Sequence, residues 1–237
     1  MINEEQKLVN GGEFIVRDVD PKEVFTPEDF SEEQLMMKSA VKEFVDREIW
    51  PHKDRFENKD YALTEELMKK AGDLGFLGVS VPESYGGMGM GFISVMLVCD
   101  YISGATGSFS TAFGAHTGIG TLPIILYGTE AQKLEYGPKL ATGDWFGSYC
   151  LTEPGAGSDA NSGKTKAVLS EDGTHYEISG QKMWISNAGF ASVFIVFARI
   201  EDDKNITGFI VPNDPSNGIT MGDEERKLGI HASSTRQ

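Results

Sequence analysis

"YCLTEPGAGSDANSGKT", Tyr149–Thr165, is the stretch whose reading decides the fold. Gly155, Gly157 and Ala160 fit G-x-G-x-x-G/A, and Glu177 comes where a ribose-binding acid belongs. The last four residues, "SGKT", look like the end of a P-loop. Both motifs need a helix directly after the glycines, because the first-turn N–H groups of that helix hold the phosphate. The chain instead continues as "NSGKTKAVLSEDGTHYEISG", two short β-rich runs around the hairpin turn Asp172-Gly173. The P-loop also needs a glycine where Ser158 stands. The stretch therefore reads as a loop at a strand end. Glycines there let backbone approach a ligand, and successive N–H groups can make an anion nest without a helix.

Upstream, the period is helical. Ser31 and Gln34 form an S-x-x-Q capping box, and Met37, Val41, Phe44, Val45 and Ile49 lie on one stripe. Pro51 is expected to close this helix. A second helix is expected from about Thr64, with Gly75 past its end. "GVSVPESYGGMGM" (Gly78–Met90) reads as a loop. Two apolar helices come next, over about 91–103 and 108–127, broken or kinked by Pro123, and Thr129 caps another. From about 145 the runs become strand-like: "WFGSYCL", "KTKAVLS", "HYEISG", "KMWIS", "SVFIVFARI" and "ITGFIVP". Helices first and strands after predict α+β, not alternating βαβ.

Composition bounds the partners. The chain has 237 residues, is 40% hydrophobic and carries a net charge of −15. That acidity argues against nucleic acid, whose binding is driven by counterion release from phosphates. Cys99 and Cys150 sit in apolar runs and read as buried small hydrophobes of a reducing compartment. "MINEEQKLVNGGEF" has neither signal-peptide nor transit-peptide character, and no apolar run is long enough to span a bilayer. The expectation is a cytoplasmic protein without a transmembrane segment. The abrupt stop at "KLGIHASSTRQ" reads as an incomplete protein. His52, His116, His175 and His231 show no metal-ligand spacing, so no metal is expected, and His116 in an apolar helix reads as a core histidine. No G-x-S-x-G elbow supports a hydrolase serine. The acidic pair Glu224-Glu225 reads as solvated surface.

The residues of the loop suggest a chemistry. Thr152 offers a hydroxyl and an N–H where the strand ends, and Ser158 adds a second hydroxyl. Downstream, Trp184 and Ser186 are two apart, and so expected on one face of a strand. An indole to stack on a planar ring, a hydroxyl at its edge and a polar loop for a phosphate suit a flavin. Each residue alone also has a purely structural reading: a cap, turn glycines, a core indole.

"YCLTEPGAGSDA" and "KMWISNAGF" resemble the two flavin-binding signatures of acyl-CoA dehydrogenases. "GVSVPESYGGMGM", "YGTEAQKLEYGPKLATGD" and "RKLGIHASSTR" match in the same order, so the resemblance covers about residues 30–237. It implies an extension over 1–30, a helical domain over 31–144, a β-barrel-like middle domain over 145–237, and a C-terminal four-helix domain absent from this chain. It implies FAD as cofactor, held by Tyr149, Leu151, Thr152, Gly157, Ser158, Trp184, Ile185 and Ser186. It places Ser158, Ser234, Thr235 and Arg236 at the acyl-CoA substrate.

The implied activity is α,β-dehydrogenation of a fatty acyl-CoA in β-oxidation. Its electrons pass to an electron-transferring flavoprotein, and the enzyme is a homodimer or homotetramer. The general base is expected beyond Gln237, so none is named here, and these 237 residues alone are expected to be inactive. The segment "GAHTGIG" and the extension are most like the very-long-chain branch, giving medium to very long chains as substrates. Gly114 and Gly118 would either deepen an acyl pocket or let two helices pack closely. An acyl-CoA oxidase or monooxygenase on the same fold, and a non-catalytic acyl-binding or assembly relative, stay open as alternatives.

Overall fold

The computed structural model describes residues 8–237. Residues 1–7, the first part of the extension and of the stretch read for targeting signals, lie outside the described residues. The fold is α+β, with eight α-helices preceding the strands among the described residues. A one-turn helix, α1 (Glu13–Val16), and two 3-10 turns make up the rest of the extension.

Ser31 caps α2 (Glu32–Phe44) and exchanges hydrogen bonds with Gln34, as the sequence predicts. The helix does not close at Pro51. It passes through a π turn, Val45–Ile49, and a 3-10 turn, Trp50–His52, into α3 (Lys53–Glu57). Pro51 stands near the start of the 3-10 turn, where its missing N–H leaves no bond broken. The next helix, α4 (Tyr61–Asp73), starts earlier than Thr64, because Asp60 caps it by accepting from Leu63 N–H. Gly75 lies just past its end with φ 83°, the left-handed conformation that glycine favours.

α5 (Phe92–Ala105) and α6 (Gly107–Gly114) carry the apolar run. A π turn, Ala115–Gly120, separates α6 from α7 (Leu122–Tyr127), so the expected single helix is broken near Pro123. Thr129 caps α8 (Glu130–Ala141). The buried faces of α2, α3, α4, α5 and α6 meet in one core holding Val41, Phe56, Met68, Ile102 and Phe109. Burying side chains of this size stabilises by about 1.5–3 kcal/mol each.

The strands are β1 (Gly147–Cys150), β2 (Lys166–Leu169), β3 (Tyr176–Ser179), β4 (Ile185–Ser186), β5 (Val193–Ile200), β6 (Thr207–Pro212) and β7 (Thr235–Arg236). One sheet runs β1-β5-β2-β3, with β6 also on β5, and β4 pairs with β7 in a second. β2 and β3 are the expected antiparallel hairpin, turned at Gly173 with φ 70°. β1 lies parallel to β5, a pairing that joins distant segments. Among the described residues the sheets do not close into a barrel. β7 ends one residue before Gln237, so no helical domain stands after the strands within these 237 residues.

The two halves share their packing. Ile124, Tyr136 and Leu140 from α7 and α8 pack on Val193 and Ile195 of β5. His116 is fully buried at the joint, where it faces Leu140 O and accepts from Gly147 N–H. It is the core histidine that its apolar helix predicts.

Candidate functional site

The loop after β1 is open on one side and anchored on the other. Thr152, just past the strand end, is half-buried, and Gly157 and Ser158 are exposed. The N–H and hydroxyl of Thr152, the N–H of Gly157, and the N–H and hydroxyl of Ser158 have no partner among the described residues. Nothing lies within 4 Å of the outward side of Gly155 or Gly157. Unpaired donors on an exposed glycine loop can receive an anion such as a phosphate. A 3-10 turn of three residues, Ala160–Ser162, comes next, then β2, so neither nucleotide-binding helix is present. Glu177 lies exposed on β3 opposite Val168. "SGKT" leads into β2, and its Lys164 N–H and Thr165 N–H both donate to the Glu153 carboxylate.

The second segment corrects an expectation. Trp184 and Ser186 do not share a strand face, because β4 is only Ile185–Ser186 and Trp184 precedes it with φ 59°. That left-handed backbone turns the indole outward, where it is 61% exposed. An exposed indole is a stacking surface that folding has not consumed. Ser186 is half-buried with its hydroxyl unpaired, and Ser148 donates to its carbonyl. Ile185 points into a small core with Cys150, Ala188 and Phe194, so only its backbone can meet a ligand. Tyr149 lies against Phe197, with ring centroids 4.9 Å apart.

The structure brings the predicted segments together. Met183 N–H donates to Thr152 O at 2.9 Å, tying the loop to the Trp184 segment. β4 pairs with β7, setting Ile185 opposite Arg236 and Ser186 opposite Thr235. Trp184, Ser186 and Thr235 line one cleft of about 310 Å³. Ser158 and Gly157 stand outside that cleft, at the other end of the loop.

The third segment is held from behind. Ser234 and Thr235 are buried, and their hydroxyls bond to Glu224 and to Lys227 and Ser233 O. Arg236 pairs with Glu224 at 3.2 Å and remains partly exposed. Of these three, Arg236 alone keeps side-chain donors for a ligand. Glu224 is therefore not solvated surface. Burial raises its pKa, but bonds from Ser234 and Thr235 N–H and the charge of Arg236 outweigh this and hold it below the ordinary value.

Three residues went unnoticed in the sequence. Glu153 and Lys182 form a buried ion pair at 2.7 Å beneath the loop. Asn187 is fully buried with φ 63°, and its side chain donates to Ala112 O in α6. An Asn-Ala-Gly run after a strand does signal a left-handed turn. The ion pair links residues 29 apart and has no local signal.

Gly114 and Gly118 also resolve. Gly114 ends α6 and Gly118 lies in the π turn, and a Cβ on either would meet nothing within 4 Å. Close backbone approach falls instead to Gly120, where a Cβ would sit 2.6 Å from the backbone of Gly147 in β1.

Comparison with known proteins agrees with this arrangement. Residues 31–144 match the acyl-CoA dehydrogenase N-terminal domain and residues 148–237 match the acyl-CoA dehydrogenase middle domain. A probable acyl-CoA dehydrogenase of Bacillus subtilis is 47% identical over 95% of this chain and 38% of its own length. The very long-chain specific acyl-CoA dehydrogenase of Homo sapiens is 37% identical over 89% of this chain and 33% of its length. The crystal structure of an acyl-CoA dehydrogenase complexed with FAD from Bacillus anthracis has a TM-score of 0.89 at 46% identity, over 96% of this chain and 38% of that one. The chain thus spans 33–38% of the length of these relatives. No helix among the described residues is long and apolar enough to cross a membrane. The chain belongs to the acyl-CoA dehydrogenase family.

Proposed function

We propose that this chain supplies the helical part, over 31–144, and the β part, over 145–237, of a FAD-dependent acyl-CoA dehydrogenase. The reaction is α,β-dehydrogenation of a medium to very long chain acyl-CoA to the trans-2-enoyl-CoA. The observation that carries the reading is the set of unpaired donors on Thr152, Gly157 and Ser158, in a loop tied through Thr152 to the segment of the exposed Trp184 indole. These residues fit FAD: a polar glycine loop for the diphosphate end and an indole and hydroxyl for the ring. FAD, when bound, takes up the two electrons that leave the acyl chain.

The chain's own residues bind and orient. Thr152 and Ser186 present hydroxyls to the flavin ring, and Trp184 stacks on it, with Tyr149, Leu151 and Ile185 supporting it through packing and backbone. Gly157 and Ser158 receive phosphate, and Ser158 also faces the substrate. Arg236 meets the CoA part, held in place by Ser234 and Thr235 through Glu224. The α-proton is removed by a base that we assign to none of these residues. The acceptor we propose is an electron-transferring flavoprotein and the assembly a homo-oligomer, both read from the family resemblance, and the cytoplasmic location is read from the sequence composition. The long acyl pocket is read from the resemblance to the very-long-chain branch, and the absence of neighbours within 4 Å of a Cβ at Gly114 or Gly118 is compatible with it.

The test is anaerobic titration of the complete gene product with acyl-CoA thioesters of increasing length. Bleaching of bound flavin absorbance by medium or longer chains is expected. A preparation that binds FAD but is bleached by no acyl-CoA would overturn the activity.

A further inference from the structure

One carboxylate ties three segments of the site together. Glu153 stands next to Thr152 in the loop and is 7% exposed. Its Oε1 accepts from Lys182 Nζ at 2.7 Å and from Thr165 N–H at 3.1 Å, and its Oε2 accepts from Lys164 N–H at 2.5 Å. Lys182 Nζ also donates to Leu151 O at 3.1 Å. Its neighbour Met183 grips Thr152 O. Glu153's own N–H and carbonyl bond to Ala156, closing the turn that leads to Gly157 and Ser158. A Cβ at Gly163 would sit 2.8 Å from Glu153 Oε1, so the carboxylate fills the space that this glycine leaves.

We propose that Glu153 and Lys182 are positioning residues, whose buried pair fixes the Thr152–Ser158 loop against the Trp184–Ser186 segment at the one separation that suits a single dinucleotide. The inference rests on the flavin reading of the site. Glu153's carboxylate oxygens are engaged inside the chain and point away from the open face, so the pair acts through its neighbours. A buried ion pair is a poor source of stability, since an apolar pair of equal volume does as well or better. What it does provide is register, because charges and N–H groups accept only one arrangement. The placement matches that role: Glu153 is next to Thr152, and Lys182 is two residues before Trp184.

The experiment compares E153Q, K182M and the E153Q/K182M double variant in the complete gene product. It reads FAD affinity by flavin fluorescence, visible circular dichroism of the bound flavin, and the melting temperature of the apoprotein. E153Q strands the Lys182 ammonium, so its apo melting temperature falls, and the double variant recovers most of it. FAD affinity is expected to fall about tenfold or more in all three, with an altered dichroism band that the double variant does not restore. Affinity and dichroism that return with stability in the double variant, or that never change, overturn the proposal. Should E153Q not fold, Lys182→Arg carries the test. It keeps the charge but moves the donors, and lowered affinity at unchanged melting temperature supports the proposal, while unchanged affinity overturns it. A wild-type protein that takes up no FAD would instead remove the flavin reading itself, and this inference with it.

Discussion

Gly147 N–H donates to His116 Nδ1 at 3.0 Å, while His116 Nε2 faces Leu140 O at the same distance. One ring nitrogen must accept and the other donate, so the network assigns the neutral imidazole protonated at Nε2. Burial lowers the His116 pKa from 6.5 to about 4, against a smaller raising effect of the bond to Leu140. The unfolded chain therefore takes up a proton that the folded chain refuses. His116 stabilises fully above pH 6.5, and that contribution is lost as pH falls toward 4. Between pH 6.5 and 4.5 the loss is about 2–3 kcal/mol. Denaturant titrations of wild type and His116→Gln at both pH values check it. The wild type should show the larger drop, and parallel curves would refute the assignment.

The glycines near His116 divide by the same geometry. A Cβ at Gly120 meets the Gly147 backbone at 2.6 Å, whereas Gly118 faces open space. Gly120→Ala should cost about 2 kcal/mol or more, since backbone on both sides must move. Gly118→Ala should change the melting temperature little. Gly118→Gln in the complete gene product should shorten the preferred acyl chain, and an unchanged chain-length profile would remove the long-pocket reading.

Glu224 makes a different prediction. It bonds Ser234 Oγ and Thr235 N–H and pairs with Arg236, so it organises β7 and through it β4. Glu224→Ala leaves those donors and the guanidinium without their acceptor. A loss of about 2–4 kcal/mol in stability is expected, with weaker acyl-CoA binding. Glu224→Gln keeps an acceptor and should retain more of both. Urea unfolding together with acyl-CoA titration separates the two effects.

What the sequence made legible was local. Ser31 with Gln34, Gly75, and Asp172-Gly173 each act within a few residues, and the structure places caps, helix end and hairpin there. Alternation after Gly157 was enough to exclude both nucleotide-binding helices. Pairings between distant segments left no such mark. The parallel β1–β5 contact, the β4–β7 pair that brings Ser186 to Thr235, and the Glu153–Lys182 ion pair all depend on how the halves pack. The π turn at Val45–Ile49 likewise left no local mark, since its residues suit an ordinary helix, whereas Gly118 and Gly120 weaken the helix at Ala115–Gly120. Trp184 misled for a related reason. Its neighbours read as a strand, but its own φ of 59° breaks the alternation on which the same-face argument relied.

That left-handed Trp184 yields the sharpest separation of stability from binding. A bulky residue with φ near 60° is strained by about 1 kcal/mol or more, and glycine is not. The residue is 61% exposed, so the apolar burial lost when the indole is removed is about the size of the strain relieved. Trp184→Gly should therefore leave the apo melting temperature about unchanged, despite deleting the largest side chain of the site. FAD affinity should fall, because the stacking surface is gone; base–aromatic stacking elsewhere contributes about 1–3 kcal/mol. Trp184→Phe keeps a ring and the strain, so it should bind FAD better than Trp184→Gly while melting no higher than wild type. Calorimetry of the three apoproteins and flavin titration of each give both readings. A Trp184→Gly protein that melts well below wild type would mean that the indole holds the fold, and one that binds FAD as tightly would mean that it does not meet the ring.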